Sequence, residues 1–239
     1  MIHVDSLTKY YGDYAAVRNV SFDVDRGQVV GFLGPNGAGK STTMRMLTGY
    51  ITATSGRATI EGKDVSRNPI EARRRIGYLP ESCPLYTEMR VEEYLRFRGG
   101  LKGLNRRDCT KNLGYVLDRC WLNDVRRQLI GTLSKGYRQR VGLADSLIAN
   151  PPVLILDEPT VGLDPTQIRE TRNLIKELGR NHTVLLSTHI LPEVEMTCDS
   201  VIIIYQGRVA VQGTLDGVRS MYRGQSLEEI FISLTGAVE

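Results

Sequence analysis

Hydrophobic residues in this chain change period several times, and each change marks an element. At the N-terminus apolar residues alternate with polar ones: Ile2, Val4 and Leu7, then Ala16-Val17 and Val20-Ser21-Phe22-Asp23-Val24. A period near two belongs to strands with one buried face, so this segment predicts short antiparallel strands. Gly27 turns the chain into Val29-Val30-Gly31-Phe32-Leu33, an apolar run of strand length. Ala58-Thr59-Ile60 followed by Glu61-Gly62-Lys63-Asp64 predicts a strand and turn. Ile76-Gly77-Tyr78-Leu79 predicts a short strand ended by Pro80.

Beyond this point the period lengthens. Val91 to Phe97 carries apolar residues at helical spacing, as do Leu113, Val116, Leu117 and Cys120, and then Val141, Leu143-Ala144 and Leu147-Ile148. A helical insert over about 82–150 follows, closed by Pro151-Pro152. Val153-Leu154-Ile155-Leu156-Asp157 returns to a buried strand. Thr183-Val184-Leu185-Leu186-Ser187 and Val201-Ile202-Ile203-Ile204 predict two more, with a crossover helix from Gln167 to Gly179. Continuous apolar strands alternating with helices indicate an α/β chain with a mostly parallel sheet. No linker divides it, so a single domain over 1–239 is expected, closed by a short amphipathic helix over about 226–236.

Composition adds exclusions. A length of 239 residues suffices for one α/β domain with a substantial core. The net charge of +4 is mild and no long basic run occurs, so no nucleic-acid partner is expected. Arg73-Arg74-Arg75, Arg106-Arg107 and Arg126-Arg127 read as solvated helix faces. Cys83, Cys109, Cys120 and Cys198 are far apart and lack histidines at ligand spacing, which argues for reduced thiols over a zinc site. The N-terminus has no signal pattern, and no window approaches the roughly 20 apolar residues of a membrane span. Any action on a membrane would run through another chain.

The chemistry begins at Gly34-Pro35-Asn36-Gly37-Ala38-Gly39-Lys40-Ser41-Thr42. This run fits G-x-x-x-x-G-K-[ST], the phosphate-binding loop, and it lies between a buried strand and the helical Thr43-Met44-Arg45-Met46-Leu47. Its glycines let backbone N–H groups turn around a polyphosphate, and the helix N-terminus adds its positive dipole end. Lys40 suits the terminal phosphates and the Ser41 hydroxyl suits Mg²⁺. A second apolar strand ends in Asp157-Glu158. Adjacent strand residues point in different directions, so Asp157 can face the metal while Glu158 orients or deprotonates an attacking water.

With these motifs in order, the chain resembles the ATP-binding subunits of ABC transporters along nearly its whole length. Leu133-Ser134-Lys135-Gly136-Tyr137 is similar to that family's signature LSGGQ, Gly162-Leu163-Asp164-Pro165 to its D-loop, and Ser187-Thr188-His189 to its switch histidine. Tyr11, before Gly12, stands where the family places an aromatic against adenine. The resemblance implies a P-loop NTPase (RecA-like) fold, with an antiparallel β subdomain and an inserted helical subdomain, that binds ATP and Mg²⁺ and hydrolyses ATP. It implies that Lys40, Glu158 and His189 are catalytic, that Ser41, Asp157 and Glu81 hold the metal, and that Asp164 joins the nucleotide site. Ser134 and Gly136 would complete the ATP site of a second subunit, in a homodimer or heterodimer docked on transmembrane permease subunits at the cytoplasmic face of the cell membrane.

Two departures stand out. Glu81 occupies the place of the family's usual glutamine, exchanging an amide that donates and accepts for a carboxylate that only accepts. Leu79-Pro80-Glu81 and the closing segment from Ser226 to Gly236 resemble a subgroup that mostly serves exporters. In the signature, Lys135 replaces the first glycine and Tyr137 the final glutamine. The alternatives are a soluble ABC-type ATPase acting on DNA or ribosomes, which would need a coiled-coil insertion or tandem domains that do not fit this length, and a regulatory nucleotide-binding module.

Overall fold

The computed structural model describes residues 1–236; the last three residues of the domain expected over 1–239 lie outside the described residues. In chain order the elements are β1 (Ile2–Tyr11), β2 (Tyr14–Val24), β3 (Val29–Leu33), α1 (Lys40–Leu47), β4 (Ser55–Ile60), β5 (Lys63–Asp64), α2 (Pro69–Arg74), β6 (Ile76–Leu79), α3 (Val91–Leu101), α4 (Arg106–Arg119), α5 (Lys135–Leu147), β7 (Val153–Asp157), α6 (Pro165–Leu178), β8 (Thr183–Thr188), α7 (Leu191–Thr197), β9 (Ser200–Tyr205), β10 (Arg208–Thr214), α8 (Leu215–Met221) and α9 (Leu227–Thr235). They form two sheets. One is antiparallel with strand order β2-β1-β4-β5. The other runs β10-β9-β3-β8-β7-β6 and is parallel except for β10 at its edge.

The strands β3, β7 and β8 are buried along their whole length, which explains their unbroken apolar sequences. Their alternate residues serve two cores. Val30, Phe32, Ile155, Leu185 and Ile202 face the antiparallel sheet, with Met44 and Leu47 of α1 packed between the sheets. Leu33, Leu154, Leu156, Val184 and Ile203 face the helices, meeting Ala144 of α5, Leu174 of α6, Val194 of α7 and Ile230 of α9. The helices between β6 and β7 are joined to this second core: the C-terminal part of α5 packs so closely on β6 that a Cβ on Gly77 would lie 2.1 Å from the Ser146 carbonyl oxygen.

The N-terminal strands differ from the short strands that the alternation predicts. They run for 10 and 11 residues as one hairpin. The breaks in alternation after Val4 and Val17 are bulges within continuous strands, not strand ends. Ser6 and Asn19 adopt φ of 52° and 51° there. Their N–H groups are satisfied sideways, donating to Ser21 Oγ at 2.8 Å and Thr8 Oγ1 at 2.9 Å. Short hydroxyl side chains thus replace the ladder bonds that the bulges interrupt.

Leu47 is fully buried where α1 meets both sheets. Leu47→Ala should therefore destabilise the fold by about 2–5 kcal/mol. The measurement is urea unfolding, with a lower midpoint at unchanged slope.

Candidate functional site

Parallel pairing brings the chemistry to one sheet edge. Leu33 stands opposite Thr188, Asp157 opposite Ser187, and Leu79 opposite Leu156. The residues that follow these strand ends are the phosphate loop, Glu158, His189 and Glu81. They meet beyond the carboxyl ends of the strands, the usual ligand crevice of such sheets. A cavity of about 520 Å³ opens there. It is lined by Tyr11, Asn36, Gly37, Gly39, Lys40, Ser41, Thr42, Glu81, Glu158 and His189, all expected from the sequence, together with Tyr14, Ala16 and Val161.

The loop over 34–42 is shaped by backbone. Gly39 has φ 104°, and a Cβ there would lie 2.6 Å from the Ala16 carbonyl oxygen, so no other residue fits. Gly39 also starts α1 without any capping side chain. The first-turn N–H groups are thereby left for a ligand, and a polyphosphate is the chemistry that suits them. From behind, Gly207 N–H donates to the Ala38 carbonyl at 3.0 Å, and Arg18 N–H donates to the Gly207 carbonyl at 2.7 Å. The loop is thus propped against β2 and the turn between β9 and β10.

Lys40 is buried yet fully partnered. Its Nζ donates to the carbonyls of Gly34 at 2.8 Å and Pro35 at 3.3 Å and lies 3.5 Å from Glu158 Oε1. Glu158 is 4% exposed, in a left-handed backbone turn of φ 51° held by its N–H donating to the Ser187 carbonyl at 2.9 Å. Strained non-glycine turns of this kind cluster where side chains must be aimed. Both Glu158 oxygens lie 3.0 Å from His189 Nδ1. A carboxylate flanked by a lysine and an imidazole can accept a proton from water or hold the water in place.

Asp157 lies beneath the cavity. Burial, above all, pushes its carboxyl above the usual carboxylate range; Glu81 and Glu158 push the same way, while Ser187 and Ser41 oppose. Its Oδ1 is buried without a hydrogen-bond partner. An orphaned carboxylate oxygen beside a serine hydroxyl and a second carboxylate is a donor set for a hard divalent cation. Among the described residues no group of three or more His, Cys, Asp or Glu side chains is arranged to hold a metal alone. Phosphate oxygens would have to complete the shell, as is usual for Mg²⁺.

The aromatic wall comes from the β1–β2 hairpin, where Tyr11 pairs directly with Tyr14. Both rings are exposed, and Lys9 Nζ lies 5.3 Å from the Tyr11 ring centre. Tyr14 was legible in principle, since Tyr11-Gly12-Asp13-Tyr14 reads as a tight turn that puts both tyrosines on one end. Ser134, Gly136 and Asp164 line no part of this cavity. Ser134 caps α5 by accepting from Tyr137 N–H at 3.4 Å, and Asp164 caps α6 by accepting from Gln167 N–H at 2.9 Å. The two caps are neighbours: a Cβ on Gly136 would meet Gln167 Oε1 at 2.4 Å, and one on Gly162 would meet Lys135 Nζ at 2.5 Å.

Comparison with known proteins gives this geometry its context. The ABC transporter family model matches residues 17–161. The bacitracin transport ATP-binding protein BcrA of Bacillus licheniformis is 39% identical over 225 residues, covering 93% of this chain and 72% of that one. Among solved structures, an ATP-binding subunit of an ABC transporter superposes with a TM-score of 0.90 at 35% identity, covering 98% and 99% of the two chains. A dimeric bacterial ABC transporter cassette does so with a TM-score of 0.83 at 25% identity, covering 90% and 98%. The chain belongs to the ABC transporter family, as an ATP-binding and ATP-hydrolysing subunit that energises transport. No helix among the described residues is long and apolar enough to cross a membrane.

The buried Asp157 carries a signed consequence. A carboxyl raised above its unfolded value stabilises the fold in acid, and that contribution is lost as pH rises through the folded value. Burial disfavours the charged form of this carboxyl, so its ionisation costs stability that a bound cation would restore. Asp157→Asn should therefore melt at or above the wild-type temperature when nucleotide and metal are absent. Adding Mg·ATP should raise the melting temperature of the wild type more than that of the variant, as differential scanning fluorimetry would show.

Proposed function

We propose that this chain drives export across a membrane by closing on ATP as a homodimer or heterodimer, at the cytoplasmic face and through transmembrane permease subunits. The observation that carries the hydrolytic reading is the pair of buried Lys40 and Glu158 with the exposed His189 ring against it, at the mouth of the phosphate loop. In this reading Tyr11 stacks on the adenine. The loop from Gly34 to Thr42 wraps the phosphates, and Lys40 exchanges its carbonyl partners for phosphate oxygens. Glu158 takes the proton as water attacks the γ-phosphorus and the bond to the ADP oxygen breaks. His189 holds the γ-phosphate and keeps Glu158 aimed. Ser41, Asp157 and Glu81 would hold Mg²⁺, which neutralises developing phosphate charge when bound.

The separation of Ser134, Gly136 and Asp164 from the cavity supports a site completed between subunits. An α5 N-terminus capped at Ser134, beside the D-loop, forms a second anion-binding face that this chain's own cavity does not use. Export is supported by Leu79-Pro80-Glu81 and by the likeness to a relative named for bacitracin transport. The acceptor-only Glu81 fits a residue that reads the metal–phosphate state and passes it to the helices between β6 and β7.

Glu158→Gln should lower ATP turnover at least about 100-fold, the scale of losing a general base. It should also accumulate an ATP-bound dimer in light scattering; a variant that stays monomeric at saturating ATP would count against the mechanism. Glu81→Gln should shift the Mg²⁺ dependence of turnover in the complete complex, and an unchanged dependence would remove the sensing role.

A further inference from the structure

A buried carboxylate outside the cavity ties together the two turns that carry Glu158 and His189. Glu193, the third residue of α7, is 1% exposed. Its Oε1 accepts from Thr160 Oγ1, and its Oε2 accepts from Thr188 Oγ1 at 2.7 Å. Thr160 stands two residues beyond Glu158, and its carbonyl accepts from Leu163 N–H at 3.2 Å, which fixes the turn. Thr188 directly precedes His189, and its Oγ1 also accepts from Ile190 N–H at 3.1 Å. One carboxylate therefore holds the hydroxyls of Thr188, next to His189, and of Thr160, in the loop leaving Glu158. Arg172 of α6 supplies the counter-charge, with Nη2 3.7 Å from Glu193 Oε1.

We propose that Glu193 is a positioning residue for ATP hydrolysis, setting the register between Glu158 and His189 without touching nucleotide. The inference rests on the reading of those two residues as the reacting pair. An ionised carboxylate only accepts, and the two threonine hydroxyls are its donors, so the arrangement has one solution. Charge-assisted hydrogen bonds in a buried site are short and stiff. A hydrophobic residue would fill the same space without the cost of burying a charge. What the carboxylate adds is a tie between two loops whose only direct side-chain hydrogen bonds, among the described residues, are those of Glu158 with His189.

The test compares Glu193→Ala, Glu193→Gln and Glu158→Gln in the full chain, by ATP turnover, ATP affinity and NMR of the His189 ring. The chain has only 3 histidines, so its ring signals are assignable. Glu193→Ala should bind ATP within about twofold of wild type yet lose about 10- to 100-fold in kcat, the scale of a small misplacement of reacting groups. The His189 signals should move while those of His3 and His182 stay. Glu193→Gln should recover much of the rate, since its amide oxygen and nitrogen can each pair with one threonine. Wild-type kcat in folded Glu193→Ala, or lost kcat with unmoved His189 signals, overturns the proposal. Should Glu193→Ala fail to fold, Thr188→Val is judged by the same criteria. Wild-type turnover in Glu158→Gln would instead overturn the underlying assignment of the base.

Discussion

In-register parallel pairing of β3, β8 and β7 is the constraint on which the site depends. Each strand is buried on both faces, so its register is fixed by two cores at once. A slip of one residue in β7 would turn Asp157 and Glu158 away from the phosphate loop and push leucines into the wrong layer. The same burial that stabilises the sheet thus fixes the loops at its carboxyl edge, within which Glu158 lies 3.0 Å from His189 Nδ1 and 3.5 Å from Lys40 Nζ.

The electrostatics follow from that edge. Lys40 is a buried cation, and such a group persists only when satisfied. Two carbonyls and Glu158 satisfy it. These are weaker partners than a triphosphate, and in the proposed function a ligand phosphate competes for the lysine while freeing the carboxylate beside it. Asp157 is the complementary case, a buried carboxyl whose Oδ1 lacks a partner. The site therefore holds one cation satisfied by the protein and one carboxyl oxygen that is not, an imbalance that the proposed function fills with a phosphate and a metal.

Much of this was legible in the sequence, for reasons that differ by element. The phosphate loop could be read because Gly34, Gly37 and Gly39 answer to backbone geometry, and the parallel strands because burial on both faces leaves unbroken apolar runs. The hairpin of β1 and β2 was read as shorter strands because a bulge breaks the period of two just as a strand end does. Tyr14 was missed because turn geometry, not periodicity, pairs it with Tyr11. Glu193 was invisible for a plainer reason. Nothing in Leu191-Pro192-Glu193-Val194-Glu195 separates a buried carboxylate from an exposed one, and only the fold brings Thr160 and Thr188 to it.

The propping of the phosphate loop by β2 and by the turn after β9 has one more consequence. The strand that backs Gly39 at Ala16 also carries Tyr14, two residues away, and pairs with Tyr11. The aromatic end and the phosphate end of the cavity are therefore carried by one hairpin. With Tyr11 stacked as proposed, such a hairpin would work as a gauge, fitting a ligand by the length between a flat ring and a string of charges before any chemistry begins.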